Sequence, residues 1–357
     1  MLGIAYLPKK GDARPIRSGN SAYMLSLERQ KVILAAIGRL DSAAAANTVG
    51  VANACQHSFR FSGLYEMPFK LKRYRLPNGG YDLDLAAEVF IKDAKLKGYP
   101  VLLTQDPYGG AATKDKPDDF YFTGELADDG GIVISTYLWS KLQPGEPIQN
   151  YILLMLGSAL LAKISGLHFH DETRGCLLDY CDDPADFVAS FRTSGLCSAC
   201  KDHIEKGIRA GQLTRAQYAS CLKLVNRGRG TRRSFVVMPF RKPLDRIYQT
   251  TIRPALEQEG YQVSRGDELL WPRIIPDAIL TEILASDLIV ADITGHNPNV
   301  FYEIGIADAI GVDLVLLCEE GQPVPFDITQ RRTLFYHPGD RKGLSEQLRR
   351  LCRIAGI

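Results

Sequence analysis

The sequence predicts an α/β protein in two parts, a C-terminal doubly wound parallel sheet preceded by an α+β region with clustered cysteines. Three observations predict it. From Ser234 onward, short apolar runs alternate with amphipathic helical stripes, the rhythm of right-handed crossovers that lay strands parallel. Four of the eight cysteines fall in two close pairs between Cys176 and Cys200, a spacing that outside a small secreted framework points to metal ligation. Between the two regions lies an arginine-rich, glycine-interrupted stretch, Asn226 to Arg233. The expected division is therefore 1–225, a basic linker 226–233, and 234–357.

Composition narrows the classes. A 45% hydrophobic and 24% charged chain of 357 residues has ample core for two domains. The net charge of +2 provides no global field for nucleic acid or an anionic membrane, so neither is an expected partner. Met1 to Pro8 lacks a charged region ahead of an apolar one, so no secretory signal is expected. The most apolar run, Tyr151 to Ala162, stops at Lys163, short of the roughly 20 residues that cross a bilayer. A cytoplasmic location follows as the expectation. Cys55, Cys221, Cys318 and Cys352 are scattered and read as reduced core residues. Oligomeric state is not encoded in any visible pattern, which leaves a homo-oligomer open.

In chain order, the first 75 residues give weak signals. Ala35 to Leu40 and the alanines after it look helical, and Ser58 to Tyr65 alternates as a strand. Phe69 to Arg75 reads as a lysine-bearing edge strand or as a phosphate-touching surface. A helix over Tyr81 to Leu96 turns Leu83, Leu85, Ala86, Val89 and Phe90 inward. Strands follow at Tyr99 to Thr104 and Gly131 to Thr136, then a helix from Asn150 to Ile164 that is apolar on nearly every side. Such a helix belongs in the middle of a core.

Cys176, Cys181, Cys197 and Cys200 come next, as C-x4-C, fifteen residues, then C-x2-C. Thiolates so spaced can close a tetrahedral cage around a structural zinc; four unrelated reduced thiols are the alternative. His168, His170 and His203 stand nearby as substitute ligands or outer-shell partners. The order of strand, long apolar helix, Gly166-Leu167, histidine and two cysteine pairs resembles the archaemetzincin family over about Leu96 to Leu213. That family pairs a catalytic HExxHxxGxxH helix with a four-cysteine zinc site. With Gly166 on the family's glycine, the ligand positions fall on Ala159 and Lys163 and the general-base position on Leu160. The resemblance implies a metzincin-like scaffold that keeps the structural zinc and lacks the peptidase centre. A helix over Ala210 to Val225 leads into the arginine-rich stretch, which suits either a solvated hinge or a polyphosphate-holding segment.

The last third begins with a buried-type strand, Ser234 to Met238, and its loop, Pro239 to Pro243. Leu244, Ile247, Tyr248, Ile252 and Leu256 stripe a helix that ends near Gly260, and Tyr261 opens the next strand. Trp271 to Leu284 supplies a helix, and Leu288 to Ile293 an interior strand broken only by Asp292. After the turn Thr294 to Asn299 comes a helix with Val300, Ile304 and Ala307 on one face. Strands at Leu314 to Cys318 and Thr333 to Tyr336 and a helix from Leu344 to Ile354 complete the layer.

Three strand ends converge on one edge, where open α/β sheets bind ligands. They bring together Met238 to Arg241, Asp267-Glu268, and Asp292 with the loop from Asn297 to Glu303. Asn299 is expected to cap the helix, which sets Glu303 in its first turn, where the dipole favours the carboxylate. A fixed carboxylate can attack or shield an anomeric carbon as a glycosidic bond breaks; it can also simply complement the dipole at the surface. Arg241 and the backbone N–H groups from Asn299 to Phe301 suit a phosphate or ribose hydroxyls. Asp292 suits a ribose or the turn itself, and Phe240 and Tyr302 suit a base or the core. Neither GxGxxG nor a P-loop is present.

The stretch Asp292-Ile293-Thr294 with Asn297-Pro298-Asn299-Val300-Phe301-Tyr302-Glu303-Ile304-Gly305 resembles the nucleoside 2-deoxyribosyltransferase-like and TIR-like nucleotide-binding families, over about Ser234 to Tyr336. The resemblance implies a flavodoxin-like sheet and Glu303 as nucleophile. It also implies an Asp on the preceding helix, for which Asp277 is nearest, about two residues from the family's position. The implied activity is cleavage or transfer at the N-glycosidic bond of a nucleoside, nucleotide or NAD-like molecule. Catalysis would fall to Glu303 and Asp292, and binding to Phe240, Arg241, Asn297, Asn299 and Tyr302. The alternative is a non-catalytic nucleotide sensor, reported on by the zinc-bearing half, in antiviral or stress defence.

Overall fold

Runs apolar on both strand faces build two five-stranded sheets in a computed structural model that describes residues 29–66, 69–109, 120–121, 123–126, 131–143, 145–170, 174–179, 184–193, 195–269 and 275–354. The first sheet uses β1 (Gln30–Ala36), β2 (Phe59–Phe61), β3 (Tyr99–Thr104), β6 (Thr123–Leu126) and β7 (Gly131–Ser135). Its order is β2-β1-β3-β7-β6, parallel except for β6 at the edge. The short strands β4 (Tyr108–Gly109) and β5 (Phe120–Tyr121) pair separately. Side chains alternate as the pleat requires. Val32, Leu34, Val101 and Leu103 pack toward α1 (Ser42–Cys55) and α4 (Ile148–Ser165), while Ala35, Leu102 and Val133 pack toward α2 (Leu83–Ala94).

Three expectations in this half change. Ala35 and Ala36 belong to a strand, because burial on a sheet face outweighs the helical preference of alanine. Phe69 to Arg75 is not an edge strand: Leu71–Tyr74 forms a 3-10 turn, and Phe69 stacks on Tyr74 at 5.7 Å and meets Phe90 edge-on. The aromatic half of that run is packing surface. On α2, Leu85 is 50% exposed and Ala87 takes the inward place.

α4 is surrounded by protein, as its all-round apolar sequence demands. Among the described residues it is the one helix long and apolar enough to cross a bilayer, and most of it is buried inside the protein. After α3 (Tyr137–Leu142) and α4 come α5 (Pro184–Thr193), α6 (Ser198–Arg209) and α7 (Arg215–Gly228). The helix expected over Ala210 to Val225 is thus the second of two, begun by a capping box between Thr214 and Gln217. Glycines let α7 lie hard against α4. A Cβ at Gly157 would come within 2.7 Å of the Cys221 carbonyl oxygen, and one at Gly228 within 2.5 Å of the Leu154 nitrogen.

β8 (Arg232–Val237) follows at once, so the linker expected over 226–233 shrinks to 229–231. The second sheet adds β9 (Tyr261–Arg265), β10 (Leu288–Asp292), β11 (Asp313–Glu319) and β12 (Thr333–Tyr336). All pairs are parallel, in the order β12-β11-β10-β8-β9. Numbered from its own start this is 2-1-3-4-5, the flavodoxin-like doubly wound order. One face is covered by α8 (Lys242–Ile247), the π-helical turn Tyr248–Ile252, α9 (Arg253–Gln258) and α12 (Arg341–Ile354), the other by α10 (Ile275–Ala285) and α11 (Pro298–Ile310).

α10 also packs on α7, and a buried cluster joins them. Arg215 donates to both oxygens of Glu205 at 2.8 and 3.1 Å and to Thr281 Oγ1 at 2.9 Å, and it pairs with Asp277 at 3.3 Å. Removing one member strands the opposite charge out of water. Arg215→Met is expected to cost about 3 kcal/mol in a urea melt. A loss under about 1 kcal/mol would put the cluster in the class of solvent-screened surface pairs.

Candidate functional site

Two groups of side chains have geometry suited to chemistry. The first lies where the chain leaves α4. His170 donates its backbone N–H to the Leu178 carbonyl at 2.7 Å, which folds the segment back on itself. Asp179 Oδ2 accepts from the backbone N–H groups of Arg174 and Cys176 at 2.6 and 2.7 Å and fixes the turn bearing Cys176. Cys197 precedes α6 and Cys200 sits in its first turn, so a C-x2-C pair straddles a helix start.

The ligand atoms of His170, Cys176, Cys197 and Cys200 all lie within 4.8 Å of one another, close enough to hold a metal ion. A tetrahedral ion with ordinary zinc bond lengths sets sulfurs about 3.8 Å apart and sulfur and nitrogen about 3.5 Å apart. Here Cys176 and Cys200 sulfurs are 3.9 Å apart, and His170 Nε2 lies 3.6 Å from Cys197 Sγ and 3.1 Å from Cys200 Sγ. Burial pushes the Cys176 and Cys200 thiols up. Burial opposes ionisation at Cys197 too, but hydrogen bonds from Cys200, Cys176 and His170 bring it down to about 7. Of the expected four cysteines, three are together with His170 as the fourth member, and Cys181 lies outside the described residues. Of the other nearby histidines, His203 Nε2 bonds to the Ser165 carbonyl at 2.9 Å, and His168 is exposed and outside the group.

The second group lies at the carboxyl edge of β8 and β10, the switch point of the second sheet. α11 begins at Pro298, whose missing N–H and fixed φ suit the first helical position. Asn297, rather than Asn299, is therefore the cap, and its Oδ1 accepts from the Asn299 N–H at 2.9 Å. Glu303 consequently falls two residues deeper than expected, in the second turn of α11. Its carboxyl is partly buried, and burial pushes it up to about 7. Desolvation, not the helix dipole, sets its ionisation.

Asp292 is fully buried and its oxygens are engaged within the protein. One accepts from the Thr294 N–H at 2.9 Å and the other from the Tyr336 hydroxyl at 2.8 Å; burial still pushes its pKa up. Of the two roles its sequence position allowed, these contacts serve the turn. Gly295 follows with φ +76°, and a Cβ there would lie 2.9 Å from the Arg241 guanidinium. Arg241 reaches across that bare glycine and donates to the Thr294 carbonyl at 3.2 Å. Phe240 is 61% and Tyr302 71% exposed, so neither ring is core, and Asn299 is exposed as well. The Phe240 ring lies over Gly266 and 5.4 Å from the Arg265 guanidinium.

Arg265 was not singled out from sequence. It is 4% exposed and paired with Asp245 and Asp267 at 2.8 and 2.5 Å. Its signal was the alternation of β9, which puts Tyr261, Val263 and Arg265 on one inward face. Glu268 accepts from the Tyr248 hydroxyl and from Arg253, so this acidic pair serves structure. Asp277 is turned to Arg215 between α7 and α10.

No protein-family model and no curated protein matches this chain. Solved structures do. A 2-desoxiribosyltransferase from Leishmania mexicana is similar at 18% identity over 26% of this chain and 67% of its own, with a TM-score of 0.24. A 2-deoxyribosyltransferase from Bacillus psychrosaccharolyticus is similar at 16% identity over 32% of this chain and 95% of its own, with a TM-score of 0.28. An archaemetzincin from Methanopyrus kandleri is similar at 14% identity over 51% of this chain and 96% of its own, with a TM-score of 0.36. These likenesses are distant, and the chemistry of both groups rests on this chain's own residues.

Glu303 makes a stability prediction with a definite sign. Its folded-state pKa lies above the unfolded value, so its neutral form contributes stability that is present below about pH 4.5 and lost as pH rises through about 7. Glu303→Gln keeps the shape without the charge. Thermal melts should show the variant more stable than wild type at pH 8, by about 2 kcal/mol after discounting for partial exposure, with little difference at pH 4. Equal melts at both values would mean that the carboxyl is solvated.

Proposed function

We propose that the carboxyl edge of β8 and β10 binds a nucleoside, nucleotide or NAD-like molecule, and that Glu303 acts at its N-glycosidic bond. The observation that carries this reading is a partly buried carboxyl near pH 7, on the helix that follows the strand at the sheet's switch point. Deprotonated, it can attack or shield an anomeric carbon as the base departs. Phe240 and Tyr302 present exposed rings for a base, and Arg241 with Asn297 and Asn299 borders the turn where ribose or phosphate oxygens would lie. Asp292 acts as a positioning residue, since its contacts fasten the turn ahead of α11.

Purified protein incubated with NAD and a panel of nucleosides is expected to release free base. The rate should rise with pH through about 7 as the nucleophile ionises, and Glu303→Gln should lower kcat by about a thousandfold. Base release undiminished in the variant removes Glu303 from the reaction. One observation favours a second reading, a non-catalytic nucleotide sensor: Asp277, the nearest acid on the preceding helix, is engaged by Arg215. A rise in melting temperature with a nucleotide, without base release, selects that reading.

For the first group we propose a structural zinc held by His170, Cys176, Cys197 and Cys200. Three sulfurs and one nitrogen fill a tetrahedral shell, which leaves no position for substrate. Metal analysis is expected to find about one zinc per chain, absent from the Cys197→Ser, Cys200→Ser double variant, with a lower melting temperature after chelation. His170→Ala should lose zinc while Cys181→Ser keeps it; the reverse would restore a four-cysteine set.

A further inference from the structure

The first sheet has a switch point of its own. In the order β2-β1-β3-β7, β1 runs out to β2 on one side and β3 runs out to β7 on the other, so the strand order reverses between β1 and β3. The helices after β1 and β2 cover opposite faces, α1 on one and α2 on the other. Open parallel sheets bind ligands at that reversal, outside the carboxyl ends of the two central strands. Here those ends are Ile37-Gly38-Arg39 after β1 and Gln105-Asp106 after β3.

Asp106 organises this edge. It is 4% exposed, and both of its oxygens turn to Arg39: Oδ2 accepts from the backbone N–H and Oδ1 from Nε, each at 2.7 Å. Gly38 makes room for it, with φ +77° and a position where any Cβ would strike Asp106 Oδ2. The Gln105 N–H donates to the Arg39 carbonyl at 2.7 Å, and Ser135 Oγ donates to the Asp106 carbonyl at 2.8 Å. The ends of β1, β3 and β7 are thereby tied together.

The side chain so held is 74% exposed, and its two terminal nitrogens have no protein partner among the described residues. A pair with one exposed member adds little to a fold, so what the buried carboxylate fixes is the direction of the guanidinium. Asp106 raises the Arg39 pKa by hydrogen bond and by charge, and Tyr81 and Tyr137 add to it. Lys141 of α3, exposed, donates to the Tyr137 hydroxyl and brings a second cation to the same edge. The acidic groups beside the turn face elsewhere. Asp41 Oδ1 accepts from the Ala44 N–H at 3.0 Å, and Glu66 Oε1 from Ser42 Oγ at 2.7 Å.

We propose that this edge is a binding site for a small phosphate ester, with Nη1 and Nη2 of Arg39 forked on two phosphate oxygens and Lys141 as the supporting charge. Two donors in one fixed plane match phosphate oxygens, and an arginine already oriented by Asp106 has less freedom to lose on binding. A phosphate monoester carries up to about two negative charges at pH 7, which suits two cations better than the single charge of a carboxylate. The site shares no residue with the edge around Glu303, so it stands whether or not that carboxyl is catalytic.

Calorimetric titration of the full chain with ribose 5-phosphate and with acetate tests this. The ester is expected to bind at least tenfold more tightly than acetate. Its affinity should fall at least tenfold in Arg39→Gln, recover in part in Arg39→Lys, and stay unchanged in Arg241→Gln at the second sheet. Lys141→Gln, a change at an exposed position outside the Asp106 network, should weaken binding several-fold and so separates lost binding from lost folding. No binding of the ester, or binding untouched in the Arg39→Gln, Lys141→Gln double variant, overturns the proposal. Acetate binding as tightly as the ester also overturns it, as does binding abolished by Arg241→Gln alone, which assigns the probe to the second sheet.

Discussion

A carboxylate without access to water governs the edge of the second sheet. Asp292 ends the interior strand, and from there one oxygen holds the Thr294 N–H while the other holds the Tyr336 hydroxyl. Thr294 in turn accepts from the Glu319 N–H at 3.0 Å, so three neighbouring strands are fastened to one turn. Everything downstream inherits that geometry: the positive φ at Gly295, the room for the Arg241 guanidinium, the Asn297 cap and the direction in which α11 sets out. Glu303 occupies its partly buried position because the turn before it cannot drift.

The same economy appears at the cysteine group. Loop segments carry few buried apolar contacts, and a metal-sized group of soft ligands can substitute for the core they lack. Asp179 orders the turn bearing Cys176, while α6 presents Cys200 and is anchored to the end of α4 through His203. Two scaffolds of ordinary hydrophobic packing thus each hold one polar group in a fixed place.

Much of the second sheet was legible because β8, β10 and β11 are buried on both faces along their central residues and read there as apolar runs. Val300, Ile304 and Ala307 stripe α11 inward as their spacing requires. The first sheet was harder. Ala35 and Ala36 carry no β preference of their own, and only pairing with β3 and the bridge from Ala35 to Tyr65 make them a strand. Phe69 to Arg75 mixes cations with aromatic rings, and its pattern does not say which of the two the fold will bury. At the site, residue type announced Glu303 and the cysteines, but not depth. The cap moved two residues because Pro298 claims the first helical position, and His170 joined the cysteines through a chain reversal that spacing does not encode. The seam cluster around Arg215 joins residues that are 66 positions apart in the case of Thr281, beyond the reach of any local pattern.

The closeness of α4 and α7 has a mechanical meaning. Gly157 and Gly228 bring the two helix backbones together without side chains between them, and only 229–231 separate the end of α7 from the first strand of the second sheet. α7 therefore behaves as a strut welded to one half and running directly into the other. Its flank toward α10 carries Arg215, which meets Asp277 and Thr281 there. Separating the halves would therefore bare the flanks of α7 and α10 that meet there.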